Sequence, residues 1–481
     1  MDISTEILIL GSGAAGMMAG LTAVHAGKKC IILEKGGNIA ASNAARAGGP
    51  ALANTKLQRQ ENAVVTEEQL FHHMYQFSRG TVNAGLLRNA VSKGAEVEQL
   101  FTESGIGMKL LPDTYDVGFR ARQFFDCVGL KRWKRLADTF QKLGGKIYFS
   151  QEGIHLIKEN GRVVGVEAVN PECTEKTYTY HSDAVILATG GYLGNEEMIH
   201  KHFGNINLIP LGNKLSNGAG IRMAEEAGGV EERSWGICAN EFGGANKKLT
   251  GIKKRLSLNL RWAVCGGLLV NRQGQRFMNE QLLSDSPLSL GGEITLREGK
   301  FYAVLDEKMY QITAQKSVFE YFNSPEEWHV GKMVQTRVPK RREEELQEDI
   351  ACGWAFKGTL GEISRKTGLA ELSETVKAYN AICSYGRDER FGKSSYLLKA
   401  IDKEPYYIFE YEPSAWCTFG GVKTDEYCRL LDADQNVIKG VYVAGVDNGS
   451  CYAVPYYDNE GAALGLALST GIVAAEAAMR L

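Results

Sequence analysis

The chain has 481 residues, with 55 Lys and Arg against 57 Asp and Glu and a formal charge of -2. That balance gives no electrostatic reason to expect nucleic acid or an acidic membrane surface as partner, and leaves a small-molecule substrate as the expected ligand. The length exceeds what one hydrophobic core commonly holds, so two domains are expected.

Residues 6–10, Glu-Ile-Leu-Ile-Leu, predict a buried strand, Gly11 to Gly16 a tight turn, Met17–Ala26 a helix and Cys30–Glu34 a second strand. A strand–helix–strand unit of this kind opens a doubly wound parallel sheet, and so an α/β fold. Helical spacing follows over Glu67–Phe77 and Asn83–Glu103, then over Leu130–Leu143 ahead of a strand at Lys146–Phe149. Ile154–Lys158 and Arg162–Val169 predict a hairpin turned at Glu159-Asn160-Gly161. Asp183–Ala188 predicts a buried strand ending in Thr189-Gly190-Gly191, a second place for cofactor contact. Roughly residues 245–410 are charged and helix-rich, including Lys340–Glu348 and Asp388–Lys393, and are expected to form an inserted α+β cap. Charged runs such as Lys340–Glu345 read as solvated helix faces. Gly440–Gly445 and the apolar segment Gly461–Met479 repeat the strand–loop–helix grammar of the chain's beginning. The expected division is therefore 1–244 with 411–481 as one domain and 245–410 as the other.

Ten cysteines stand singly, without the paired spacing that holds zinc, an iron–sulfur cluster or haem, so reduced and mostly buried thiols are expected, and no metal site. The N-terminus runs into its first strand without a basic, apolar or twin-arginine leader, and no stretch offers about 18 uninterrupted apolar residues. No membrane segment and a cytoplasmic location are expected.

A lone Gly-x-Gly-x-x-Gly is weak evidence, but here Gly11, Gly13 and Gly16 lie between strand and helix, and Glu34 ends the next strand 18 residues later. Gly11 permits the tight turn, Gly13 lets a pyrophosphate approach the backbone, and Gly16 allows close helix–sheet packing. Glu34 suits the ribose hydroxyls of an adenosine and disfavours a 2'-phosphate. The turn leaves FAD and NAD open, and the next segment, Ser42-Asn43-Ala-Ala-Arg46-Ala-Gly48-Gly49-Pro50, favours FAD. With it come Ala188-Thr189-Gly190-Gly191-Tyr192, Asn217–Ala224, Gly267–Asn271 with Arg276-Phe277 and Asn279-Glu280, Gly420-Gly421-Val422 and Val441–Gly445. On these motifs the chain resembles, over nearly its whole length, the FAD-dependent flavoproteins that include fumarate reductase, succinate dehydrogenase, L-aspartate oxidase and the 3-ketosteroid dehydrogenases.

The resemblance implies an FAD-binding, Rossmann-like domain built from both chain ends and capped by the insertion. It implies cofactor contacts at Gly11, Gly13, Ala14, Ala15, Gly16, Glu34, Lys35, Ser42, Asn43, Gly48, Gly49, Ala188, Thr189, Gly190, Asp447, Ala463 and Leu464. Three devices that hold a dicarboxylate in fumarate-reducing members are missing: Ser284 stands at the position of the proton-donating arginine, Cys417 at that of a histidine, and Asp458 at that of a late arginine. None of these replaces the bidentate arginine–carboxylate bond, so fumarate and succinate are not the expected substrates. Tyr457–Gly465 instead aligns with the late loop of ketosteroid dehydrogenases, where the tyrosine hydroxyl and the glycine N–H bind a ketone.

Hydride exchange β to a carbonyl builds enolate charge, which a hydroxyl and an N–H at a helix start stabilise, so Tyr457 and Gly461 are the implied oxyanion site. Proton transfer falls first to Tyr456, with Asp458, Glu460, Ser284, Asp285 and Tyr115 as alternatives. No histidine occurs between His202 and His329 or beyond His329, which excludes a local histidine acid, and His72-His73 read as helix residues. The expected activity is reduction of a C=C bond conjugated to a carbonyl. Desaturation of a cyclic ketone such as a steroid, or a non-catalytic electron-transfer role, are the alternatives. NAD(P)H, another flavoprotein or a small carrier would bring electrons.

Overall fold

A computed structural model describes residues 2–39, 42–113, 117–248, 267–312 and 343–480. They divide into two compact units: Met1–Gly204, Gly212–Cys238 and Trp416–Leu481 form the first, and Asn205–Leu211 with Ala239–Ala415 the second.

In the first unit the sheet strands are β1 (Asp2–Leu10), β2 (Cys30–Glu34), β3 (Lys146–Phe149), β4 (Glu152–Glu159), β5 (Arg162–Asn170), β6 (Cys173–Leu187), β7 (Arg429–Leu431) and β8 (Val437–Val443). The helices that matter for the site are α1 (Ala14–His25), α2 (Glu67–Phe77), α3 (Gly129–Lys142) and α4 (Ala462–Ala478). Strand order is β7-β8-β5-β6-β1-β2-β3, with β4 on β5 and β8 also pairing β6. β8, β6, β1, β2 and β3 are mutually parallel. Their register brings Leu33, Leu10, Leu187 and Val443 to one end of the sheet, the carboxyl end where such sheets bind ligands.

Burial on both faces explains why Ile7–Leu10 and Ile31–Leu33 read as unbroken apolar runs rather than as alternation. α1 and α4 are apolar nearly all round because both are enclosed. They pack on each other so closely that a Cβ on Gly471 would come within 2.2 Å of the Ala15 carbonyl oxygen. The chain's last strand and helix thus complete the fold that its first strand and helix begin. No helix among the described residues is long and apolar enough to cross a membrane.

Two local expectations need correction. The helix expected over 83–103 is two helices, Ala84–Val91 and Gly94–Glu103, separated where Ser92 bonds back to the Asn89 carbonyl and Gly94 weakens the helix. Among the described cysteines, Cys30, Cys238, Cys428 and Cys451 are buried, but Cys173 and Cys352 are exposed.

The second unit combines helices with a sheet, as expected of an α+β unit, but not all of its charged residues face solvent. Tyr406–Phe419 runs antiparallel to both Phe301–Leu305 and Ala355–Gly358, and Leu268–Val270 extends the sheet. Trp354, Tyr379, Tyr407, Phe409 and Tyr411 fill its core. Of the charged runs, Glu343–Ala351 is a helix, whereas Lys340–Arg342 lie outside the described residues. Asp388 and Lys393 are 5% and 3% exposed and belong to a buried ion network rather than to a solvated face. Arg276 forks onto Glu280 at 2.9 and 2.7 Å and reaches Asp388 at 2.8 Å. Lys393 lies 3.3 Å from Glu280 and donates to the Gly267 carbonyl at 2.7 Å. The two cations and two carboxylates are balanced, which is what permits burial.

Burial works against the Glu280 carboxylate, but Lys393 and Arg276 outweigh it and hold its pKa below the usual range. Its contribution to stability is therefore present above the unfolded carboxyl pKa and is lost as pH falls through the lower folded value. Glu280→Gln is expected to reduce stability at neutral pH by about 3–5 kcal/mol, because it leaves two cations buried against a neutral amide. Urea denaturation checks this; a loss below about 1 kcal/mol, the range of exposed pairs, would show that the network is solvated.

Candidate functional site

At the carboxyl end of β1 the chain turns through Gly11, whose φ of +101° suits glycine and where a Cβ would lie 2.3 Å from the Ala188 carbonyl oxygen. α1 then starts without a side-chain cap. Among the described residues no acceptor serves the N–H groups of Gly13, Ala14, Ala15 or Gly16, so the first turn of α1 presents unsatisfied donors and the positive end of its dipole. A Cβ built on Gly13 would meet nothing nearer than the Ser42 Oγ at 3.5 Å, which leaves the approach open. Glu34 is buried; its Oε2 accepts from the Ser12 N–H at 2.9 Å, and its Oε1 from the Gly36 N–H at 2.7 Å. Oε1 keeps acceptor capacity for a ribose hydroxyl. Lys35 beside it is paired with Glu152 at 2.8 Å. A dinucleotide pyrophosphate and ribose fit these donors and this carboxylate.

The second wall is the segment from Ser42 to Pro50. Ser42 caps the short helix Asn43–Arg46, and Asn43 donates to the Trp416 carbonyl at 2.8 Å. Gly48 and Pro50 carbonyls accept from Phe125 and Gln123 N–H groups, which fixes Gly48 and Gly49 against a strand edge. Sequence reading missed what holds these pieces, α3. Arg132 Nη2 donates to the carbonyls of Ala44 at 3.1 Å and Ala47 at 2.8 Å, Nη1 to that of Cys127 at 3.2 Å, and Trp133 Nε1 to the Ser12 carbonyl at 3.0 Å. Burial lowers the Arg132 pKa to about 10, still charged at neutral pH. An adjacent Arg-Trp pair on a strongly amphipathic helix was the available signal, and only the fold shows that both face inward.

Asp447 was expected among the cofactor residues, and its oxygens are engaged by the protein. It is fully buried, with Oδ2 accepting from the Thr189 N–H and, at 2.8 Å, its hydroxyl, while Oδ1 accepts from the Gly191 N–H at 2.7 Å. It therefore shapes the Ala188-Thr189-Gly190 turn. Burial raises its pKa, against the lowering effect of these hydrogen bonds.

The late loop, Tyr456 to Gly461, precedes α4. Tyr457 is fully buried and its hydroxyl donates to the Cys451 carbonyl at 2.9 Å, so that hydrogen is already engaged. Tyr456 has the opposite arrangement: its oxygen accepts the Ala463 N–H in the first turn of α4, and its own hydrogen has no acceptor among the described residues. The Ala463 N–H is thereby engaged, whereas those of Gly461 and Leu464 have no acceptor among the described residues. Burial pushes both tyrosine pKa values well above the ordinary one, with the Ala463 N–H and Arg122 pulling that of Tyr456 partly back. Asp458 is paired with His73 at 2.8 Å, and Glu460 with Arg122. A histidine therefore does reach the late loop, from α2, which corrects its exclusion by sequence distance. Ser284, in the second unit, is 1% exposed with its hydroxyl unpartnered. Tyr115 lies outside the described residues.

Arg132→Met would leave the carbonyls that define the second wall without their donor, at a cost of about 1–3 kcal/mol. The expected consequence is a flavin dissociation constant raised about tenfold or more, read from flavin fluorescence released on dilution. An unchanged constant would show that the walls hold themselves.

The FAD binding domain family matches residues 6–463. The vinyl phenol reductase of Lactiplantibacillus plantarum is 26% identical over 97% of this chain and 95% of its own length. The NADH:acrylate oxidoreductase of Vibrio harveyi is 25% identical over 94% of this chain, which spans only 48% of that protein. Two solved structures share the fold. The 3-ketosteroid delta1-dehydrogenase from Sterolibacterium denitrificans, in complex with 1,4-androstadiene-3,17-dione, has a TM-score of 0.73 at 17% identity, covering 99% of this chain and all of that one. The open conformation of a flavocytochrome c3 fumarate reductase gives 0.68 at 21% identity, covering 99% of this chain and 78% of that one. With the family matched across almost the whole chain and a site whose donors fit the cofactor, this protein belongs to the FAD binding domain family and is an FAD-dependent oxidoreductase acting on CH–CH groups.

Proposed function

We propose that the protein reduces a C=C bond conjugated to a carbonyl in a substrate that is not a dicarboxylate. The observation that carries this reading is the pairing, at the start of α4, of a Tyr456 hydroxyl that keeps its own hydrogen with an unpartnered Gly461 N–H. Held by the Gly11–Gly16 turn, Glu34 and the Ser42–Gly49 segment, FAD in its reduced form would supply the hydride that the β carbon receives. The Gly461 N–H, at the positive end of α4, binds the carbonyl oxygen on which enolate charge develops. Tyr456 gives its proton to the α carbon, and the Ala463 N–H and Arg122 stabilise the oxygen left behind. Because burial holds its pKa high, Tyr456 stays protonated across the neutral range. Tyr457, expected as the ketone contact, fits better as the residue that positions this loop through Cys451.

Asp458 and Glu460 are both carboxylates, paired to His73 and Arg122, in the loop where a dicarboxylate reductase would present cations. Vinyl phenol and acrylate, in the names of the relatives, each carry one C=C conjugated to an activating group, which supports the reaction class. The second unit is read as the substrate cap, and electrons are read as arriving from NAD(P)H, another flavoprotein or a small carrier.

The test is anaerobic reduction with dithionite followed by flavin reoxidation on adding cyclohexenone, a 3-keto-4-ene steroid, urocanate or fumarate. Rapid reoxidation by an enone is expected; rapid reoxidation by fumarate would overturn the carboxylate argument. With the responsive substrate, Tyr456→Phe is expected to slow reoxidation by about 10²–10⁴-fold. Tyr457→Phe is expected mainly to cost about 1 kcal/mol of stability. A reversed ranking would return the chemistry to Tyr457.

A further inference from the structure

Beside the late loop is a cleft formed wholly within the first unit, among Asp113, Phe119, Arg120, Arg122, Asn459 and Glu460. Its room, about 20 Å³, is enough for one water-sized group and too little for a ring. Asn459 is 3% exposed, yet neither its Oδ1 nor its Nδ2 has a hydrogen-bond partner. Glu460 Oε2 is likewise buried without a partner, while its Oε1 pairs with Arg122. The other polar groups of the cleft are engaged: Asp113 accepts from the Val117 and Gly118 N–H groups, and Arg120 pairs with Glu61 and donates to the Leu111 carbonyl. A buried amide with both ends unsatisfied bears the full desolvation of each, which a ligand can recover.

We propose that Asn459 is a specificity-determining residue that binds a neutral hydroxyl of the substrate. Asn459 Oδ1 or Glu460 Oε2 accepts the hydroxyl hydrogen, and Asn459 Nδ2 donates to its oxygen. The donor count selects this chemistry. A ketone could accept from Nδ2 but has no hydrogen to give, and so would leave both acceptors, Asn459 Oδ1 and Glu460 Oε2, unmet. A carboxylate lacks one too, and would meet the charges of Glu460 and Asp458. An ammonium cannot accept from Nδ2 and would face Arg122. The inference rests on the proposed reduction only in taking the substrate to be a ketone after turnover.

The FAD-loaded protein is titrated calorimetrically with benzylacetone and para-hydroxybenzylacetone, saturated ketones that differ by one hydroxyl and need no turnover to bind. The hydroxylated ketone is expected to bind at least about tenfold more tightly. Asn459→Leu, of similar volume, is expected to bring the two within about twofold while folding as well as the parent, since it removes an unsatisfied amide. If that variant fails to fold, Asn459→Ala takes its place. Equal affinities in the parent, binding of neither ketone, or a preference that survives at position 459 would overturn the proposal and assign the cleft to a structural water. A hydroxyl preference in a protein that reduces no enone would sink the reaction proposed above and leave the subsite standing.

Discussion

Asp447 joins the cofactor end of the sheet to a turn more than 250 residues earlier in the chain, through hydrogen bonds to Thr189 and Gly191. Just before it in the chain the Ala444 N–H donates to the Leu187 carbonyl and the Gly445 N–H to the Thr470 hydroxyl in α4. One buried carboxylate and its neighbours therefore set the end of β6, the exit of β8 and the placement of α4. Carrying such a group in the interior is unfavourable unless its lone pairs are met, and here three donors meet them. The turn at Thr189, the α4 N-terminus and the late loop ahead of it inherit their positions from this contact.

Two adjacent tyrosines in that loop differ in hydrogen-bond direction, and the proposed division of roles between them rests on that difference. Tyr457 gives its hydrogen to a backbone carbonyl and anchors the loop; Tyr456 receives a helix N–H and keeps its hydrogen. A phenol that accepts from a helix start is both a better donor and a better leaving place for a proton, because the same N–H stabilises the anion. The loop's carboxylates are tied to His73 and Arg122, residues that arrive from elsewhere in the first unit. Those pairs hold the loop's charge in check beside a buried neutral amide, Asn459, whose polar atoms are unmet.

In the second unit the Arg276 and Glu280 of a recognisable sequence motif form the centre of an ion network with Asp388 and Lys393. Such a motif is tempting to read as substrate-binding, since arginine and glutamate are common in active sites. Burial and charge balance argue for a structural role: a set of two cations and two carboxylates constrains how the strand at Leu268–Val270 and the loop at Asp388–Lys393 pack.

The cofactor-binding half was legible in the residues alone. The Gly11–Gly16 turn, Glu34 at the end of β2 and the apolar strands are local patterns, and a mononucleotide fold is built from contiguous strand–turn–helix pieces whose periodicity shows in one dimension. The return of the chain end to that fold was legible for the same reason. Packing settles the rest: which late tyrosine keeps its proton, that Asp447 is engaged with the backbone, that Arg132 and Trp133 brace the segments around the glycine turn, that His73 meets Asp458, and that Asn459 lies unsatisfied. Each of these is a hydrogen bond, or the lack of one, between residues far apart in sequence or between a side chain and a carbonyl. Side-chain periodicity carries no information about such pairings; the packing of buried elements fixes them once desolvation has made every unmet polar atom costly.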